Sequence, residues 1–189
     1  WTGGRDGKGV IHATRTGYYI YKFIDPNLDL LQNRTSVHHW VIMRYAEILL
    51  SYAEAMNEAY GPTGNVGYRL NAVRALNQVR NRVGVEMPAV PTAISKEELR
   101  EKIRNERRVE LAFEDHRFWD VRRWMIAEQE GVMSGAMYGI KIYWINSSPQ
   151  EFRYTPYLYE NRTFTKKMYL HPFSTNEVNK GYLIQNPGY

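Results

Sequence analysis

Between residues 40 and 127 the apolar positions recur at intervals of three and four, the period of a half-buried helix. Ile42, Tyr45, Leu49, Tyr52, Met56 and Ala59 line one side of a predicted helix over 42–60, with Glu47, Ser51, Glu54 and Asn57 opposite, and Gly61 and Pro62 end it. After the turn "GPTGNVG", Ala72, Val73, Leu76, Val79 and Val83 predict a second helix closed by Gly84, a residue able to take the left-handed cap conformation. Two helices of similar length across a turn make an antiparallel hairpin. A third helix opens at "SKEE", where Ser95 caps the chain and Glu98 reaches back to it. It is predicted to bend near "EDH" into a fourth helical segment over 118–126.

The flanks have a different texture. Residues 1–39 read as loops and short strands: a Gly-rich start, then the strand-like run "YYIYKFID" stopped by Asp25 and Pro26. From 128 to 189 aromatic residues alternate with Gly, Pro and Asn, which predicts short strands and loops wrapping back over the helices. The expected fold is mainly α, with tetratricopeptide-like helical hairpins in 40–127 and an irregular tail, although no clean repeat period runs through the chain.

Composition narrows the chemistry. The 189 residues are 43% hydrophobic, enough for one domain with a real core. No cysteine is present, so disulfides, cysteine metal sites and thiol nucleophiles are excluded. The longest apolar region, "WVIMRYAEILLSYAEAM", is interrupted by Arg44, Glu47 and Glu54 and does not suit a membrane span. The chain begins at Trp1 without an initiator Met, which reads as the cut edge of a longer precursor.

The densest chemistry lies in "RNERRVELAFEDHRFWDVRRW", Arg104 to Trp124. At about 100° per residue, Glu106 and Glu110 fall within about 20° of Leu99 and so share the apolar stripe of the third helix. A carboxylate buried alone is costly, so both require cationic or hydrogen-bonding partners. Candidate cations are Arg107, Arg108, Arg117, Arg122 and Arg123 nearby, with Arg44 and Arg80 on neighbouring helices; Asp120 would pair another arginine. One reading makes Glu106 and Glu110 the acid and base of a glycoside hydrolase. The other, which the inward helical placement favours, is a structural ion-pair network that fixes the third helix against "HRFWDVRRW".

Nucleic-acid binding is disfavoured by counting, because nine Lys or Arg between Lys96 and Trp124 face eight Asp or Glu, a poor phosphate track. "GGRDGKG" lacks the Ser or Thr and the first Gly of a phosphate loop. Adjacent His38 and His39 do not share a helical face, no other metal-ligand spacing occurs, and no cofactor is implied. Fifteen Tyr and five Trp remain. Of these, Trp1, Tyr143 and Trp144 lie in predicted loops or edge strands, where a ring can stack on a sugar, packing being the competing explanation.

Four blocks together, "VIMRYAEILLSYAEAMNEAYG", "LNAVRALNQVRNRVG", "EELREKIRNERRVELAFEDHRFWDVRRW" and the terminal "YLHPFSTNEVNKGYLIQNPGY", resemble the C-terminal part of the SusD/RagB family in order and spacing. The resemblance covers Gly17 to Tyr189. It implies a mostly helical, tetratricopeptide-like fold and a non-catalytic protein that binds oligosaccharides or other nutrients on the outer face of the outer membrane. It also implies a SusC-like TonB-dependent transporter as partner and a membrane link only through a lipid anchor at the family's N-terminus, outside this chain. A purely structural module that docks a partner protein is a further alternative. The tail segment "NSSPQEFRYTPYLYENRTFT" aligns with no motif of that family.

Overall fold

The structure, a computed structural model, describes residues 4, 7, 9–11, 13–37 and 39–189, without the side chain of Leu30. These form two compact units, one of Thr35–Trp119 and one of Trp1–Arg34 together with Asp120–Tyr189.

The first unit is helical. Helix α1 spans Tyr45–Tyr60, α2 Ala72–Arg80 and α3 Lys96–Glu110, and α1 packs against both α2 and α3. Because α1 has two helical neighbours, it buries a sector wider than one stripe: Leu49, Leu50, Ala53, Met56 and Asn57. The predicted stripe is therefore displaced. Tyr45 and Ala59 are exposed, while Asn57 is buried because its amide donates to the Lys96 carbonyl at 2.9 Å. The helix also begins three residues later than predicted, leaving Ile42 86% exposed. Gly61 closes it with φ 74°, a conformation that favours glycine.

Helix α2 is shorter than its periodicity predicts. Asn71 caps it by accepting from the Arg74 amide at 2.9 Å, and it ends at Arg80, so Val83 stands 95% exposed in the following turn. The polar side chain of Asn77 offers that chain a better partner than another helical turn would. It donates to the Val90 carbonyl at 2.9 Å and accepts from the Val90 amide at 2.8 Å, pinning the return segment. Ala72, Val73, Ala75, Leu76 and Val79 join Leu50, Leu99, Ile103 and Leu111 in one core.

Helix α3 starts in the predicted capping box: Ser95 Oγ accepts from the Glu98 amide at 3.2 Å, and Glu98 accepts from the Ser95 amide at 3.1 Å. Glu97 and Glu98 at its N-terminus and Arg107 and Arg108 in its last turn oppose the helix dipole. The turn after it holds Phe113 and Asp115 at φ 63° and 62°. Helix α4, His116–Arg123, follows and runs across the boundary between the units.

The second unit departs most from expectation. "YYIYKFID" forms no strand, and Tyr18, Tyr19, Ile20 and Tyr21 are exposed. Alternation alone does not make a strand without a partner to complete its hydrogen bonds. The tail instead contains two long strands, β1 at Gly135–Ser147 and β2 at Gln150–Arg162, paired antiparallel across a two-residue loop. At 13 residues each they replace the predicted short strands, because each strand supplies the other's ladder along its whole length. The hairpin is the one sheet among the described residues, beside five α-helices. A small core of Val121, Ala127 and Phe164, flanked by Ile126, Met133 and Tyr169, lies in the same unit. One further helical turn, α5, occupies Thr175–Val178.

Candidate functional site

The two glutamates singled out on α3 are buried and held by guanidinium groups. Glu106 is 8% exposed and accepts from Arg80 Nη1 at 2.5 Å. The rest of the Arg80 fork donates to the Pro88 carbonyl, at 3.0 Å from Nε and 2.9 Å from Nη2. Glu110 meets Arg44 Nη1 at 2.6 Å and Arg82 Nη1 at 2.9 Å. These contacts join α3 to the residue preceding α1 and to the end of α2.

Arg44 carries the centre of this network. It also donates to the Glu110 carbonyl at 2.6 Å and takes both oxygens of Glu114, from Nε at 2.7 Å and Nη2 at 2.9 Å. Burial works against its charge, but the hydrogen bonds to Glu114 and Glu110 outweigh that cost and hold its pKa above the ordinary arginine value. Glu114 and Arg82 escape a periodicity reading. Glu114 belongs to no helix and lies between two left-handed residues, Phe113 and Asp115.

The other charged candidates make contacts of their own. Arg107 is buried and donates to Ser51 Oγ at 3.0 Å, and Arg108 donates to Asn105 on its own helix at 3.4 Å. Arg117 lies on α4. Buried Asp120 accepts from Arg123 at 2.9 Å, within the helix, while the Arg122 guanidinium sits 5.2 Å over the Phe164 ring. Acid–base chemistry at Glu106 and Glu110 would require both to face a substrate, whereas each faces a guanidinium across an element boundary.

The hairpin organises the aromatic candidates. Trp1 lies outside the described residues. Tyr143 and Trp144 are strand neighbours and point to opposite faces, so they do not form one platform. Trp144, 51% exposed, donates its indole N–H to the Asn146 carbonyl at 2.6 Å. Its face also carries Tyr138, Ile140 and Ile142, opposite Leu158, Pro156 and Tyr154. Tyr143 belongs to a different surface. Gly139, Lys141 and Tyr143 stand opposite Tyr157, Thr155 and Arg153, giving a face of tyrosines, cations and a hydroxyl. The Arg153 guanidinium lies 5.2 Å over Tyr143, and Lys141 Nζ lies 5.2 Å over Tyr157.

Residues 14–17 close one end of this face. The Ile140 amide donates to the Thr16 carbonyl at 2.7 Å, and the Tyr157 hydroxyl donates to the Arg15 carbonyl. Gly139 makes the approach possible, since a Cβ there would lie 2.7 Å from the Thr16 carbonyl and 2.9 Å from the Tyr157 ring. Gly9, Val10, Ala13, Thr14 and Arg15, with Tyr157, Leu158 and Tyr159 of β2, line a cleft of about 760 Å³. Its size is that of small-molecule sites. Lys141, Arg153, Tyr157 and Arg15 were not distinguishable in sequence. The available signal was the period-two alternation in "GIKIYW" and "FRYTPY".

Comparison with known proteins agrees with this architecture. A SusD-like protein from Bacteroides fragilis superposes with a TM-score of 0.63 at 38% identity, over 79% of this chain and 26% of its own. Two curated proteins of Formosa agariphila, SusD-like protein P2 and SusD-like protein P38, are each 35% identical, over 56% and 44% of this chain respectively. The matched regions are 20% and 16% of those proteins, so the chain spans a small part of the length of its relatives. The SusD family model matches residues 3–189, nearly every position, and with that the chain belongs to the SusD family.

Proposed function

We propose that this chain takes part in non-catalytic binding of a glycan or other nutrient at the outer-membrane surface, for delivery to a SusC-like TonB-dependent transporter. Family membership supports the reading, and the observation that carries it is the Tyr143–Tyr157 face of the hairpin. Tyrosine rings, a threonine hydroxyl and cationic donors share this face, and Tyr157 at its end lines a cleft of about 760 Å³ with Arg15 and Tyr159. Flat rings with polar tips suit sugars, which combine C–H faces with hydroxyl rims. The placement of Glu106 and Glu110 against Arg80, Arg44 and Arg82 supports a structural role for those carboxylates.

In this reading the helical unit is a tetratricopeptide-like scaffold, and the complete precursor is held on the cell-surface side of the outer membrane by a lipid anchor. The test is isothermal titration of the intact protein against a panel of glycans, together with co-purification of the transporter. Saturable binding without release of reducing ends is the expected result. Failure to bind any glycan or other nutrient, or turnover abolished by Glu106→Gln without loss of stability, would overturn it.

A further inference from the structure

We propose that the Tyr143–Tyr157 face of the hairpin is an anion-selective subsite that binds acidic oligosaccharides, whose carboxylate or sulfate groups engage Arg15, Lys141 and Arg153. The inference rests on the glycan-binding reading above and adds the chemical class of the ligand.

The argument begins with strand register. In the regular stretch between the two register shifts, Gly139 pairs with Tyr157, Lys141 with Thr155 and Tyr143 with Arg153. Directly opposed residues share a face, so both cations of the strands emerge on one side with both tyrosines. From Gly139 to Tyr143 this face is about 14 Å long at the usual rise per residue. The Tyr157 hydroxyl bond to the Arg15 carbonyl brings a third basic residue to its end.

Charge balance then selects the ligand. Among the described residues, Arg15, Lys141 and Arg153 have no carboxylate partner, whereas the hairpin's other arginine, Arg162, is paired with Glu160 at 2.5 Å. Lys141 and Arg153 instead rest over tyrosine rings, an arrangement that steadies a cation and leaves N–H donors for a further acceptor. Three basic residues against the one carboxylate of Glu151, two positions beyond Arg153 on the same strand, favour a repeating anion. Thr155 and the Tyr143 hydroxyl supply neutral hydrogen-bonding groups for sugar hydroxyls.

The experiment measures binding of the intact protein to matched polymers: polygalacturonate against its fully methyl-esterified form, and dextran sulfate against dextran. The first pair reads recognition of a carboxylate and the second of a sulfate ester. At least one acidic polymer is expected to bind tenfold or more tightly than its neutral counterpart, with affinity falling as salt rises. Lys141→Gln combined with Arg153→Gln should lower that affinity tenfold or more. Arg153→Gln alone, at an exposed position, should lower it severalfold with near-ultraviolet circular dichroism unchanged.

Equal binding of acidic and neutral polymers, or affinity independent of salt, would overturn the subsite while leaving glycan capture standing. So would undiminished acidic-polymer binding by folded Arg153→Gln. Absence of binding to every glycan would overturn both readings.

Discussion

Arg44 and Glu114, separated by 70 positions in sequence, form a two-pronged ion pair in which Nε and Nη2 donate to the two carboxylate oxygens at 2.7 and 2.9 Å. The same guanidinium reaches Glu110, so one side chain ties the entry of α1 to the end of α3 and the turn beyond it.

Glu114→Gln should therefore destabilise the helical unit by about 2 kcal/mol, because Arg44 keeps Glu110 but loses its two charged hydrogen bonds to Glu114. Its side chain is almost wholly buried, whereas Arg104–Glu101 is a solvent-facing pair on α3. Glu101→Gln should cost less than about 1 kcal/mol. Urea denaturation of both variants checks the contrast, and equal losses would show that burial does not govern these pairs.

Glu106→Gln provides the corresponding test on the other side of α3. Loss of the charge facing Arg80 should lower stability on the order of 3 kcal/mol and leave the affinity of the folded protein for glycan unchanged. Denaturant titration and calorimetric binding on the same sample separate the two quantities. A stable variant that no longer acts on glycan would place this carboxylate in a reaction.

Leu50 is fully buried at the junction of α1 with the core. Leu50→Ala should cost about 3 kcal/mol through lost burial and the cavity left behind. A loss of unfolding free energy of under about 1 kcal/mol in urea denaturation would mean that the three helices close around the gap.

Hydrogen bonding from Arg100, at 2.6 and 2.7 Å, pulls the Glu58 pKa below its ordinary value of 4.5, against the opposing effect of burial and with the Arg100 charge assisting. A carboxyl group lowered on folding stabilises the native state above its unfolded pKa, and that contribution disappears as pH falls through the folded value. Thermal melts of the wild type and Glu58→Gln should differ at pH 6 and converge once the pH drops below the Glu58 folded pKa. Because the Glu58 side chain is 41% exposed, the difference at pH 6 should stay below about 1 kcal/mol.

Gly139→Ala tests how the cleft is built. The added methyl would press on the Thr16 carbonyl and the Tyr157 ring, both closer than 3.0 Å. A cost of about 1–3 kcal/mol is expected, with weaker glycan binding as residues 14–17 lift from β1. Wild-type stability together with wild-type affinity would mean that this segment does not shape the site.

Much of the helical unit is legible from local pattern. The Ser95–Glu98 cap, the burial of Leu76 and Leu99, and the need of Glu106 and Glu110 for partners follow from spacing and desolvation, quantities that act over one or two turns. Assignment of those partners is less local. Arg44 and Arg80 are visible as cations on neighbouring helices, but Glu114 sits in the turn between α3 and α4, flanked by left-handed Phe113 and Asp115, where no helical period points to it.

The chain by itself determined where helices form and which positions demand burial, because helical hydrogen bonds close within four residues. Tertiary structure alone decided that "YYIYKFID" forms no strand while "GAMYGIKIYWINS" and "QEFRYTPYLYENR" become full strands, because a strand completes its ladder only with another strand. It also decided that Tyr143 and Trp144, adjacent in sequence, serve opposite surfaces. Strand register assigns each side chain to a face, and that register exists only once the two strands have met.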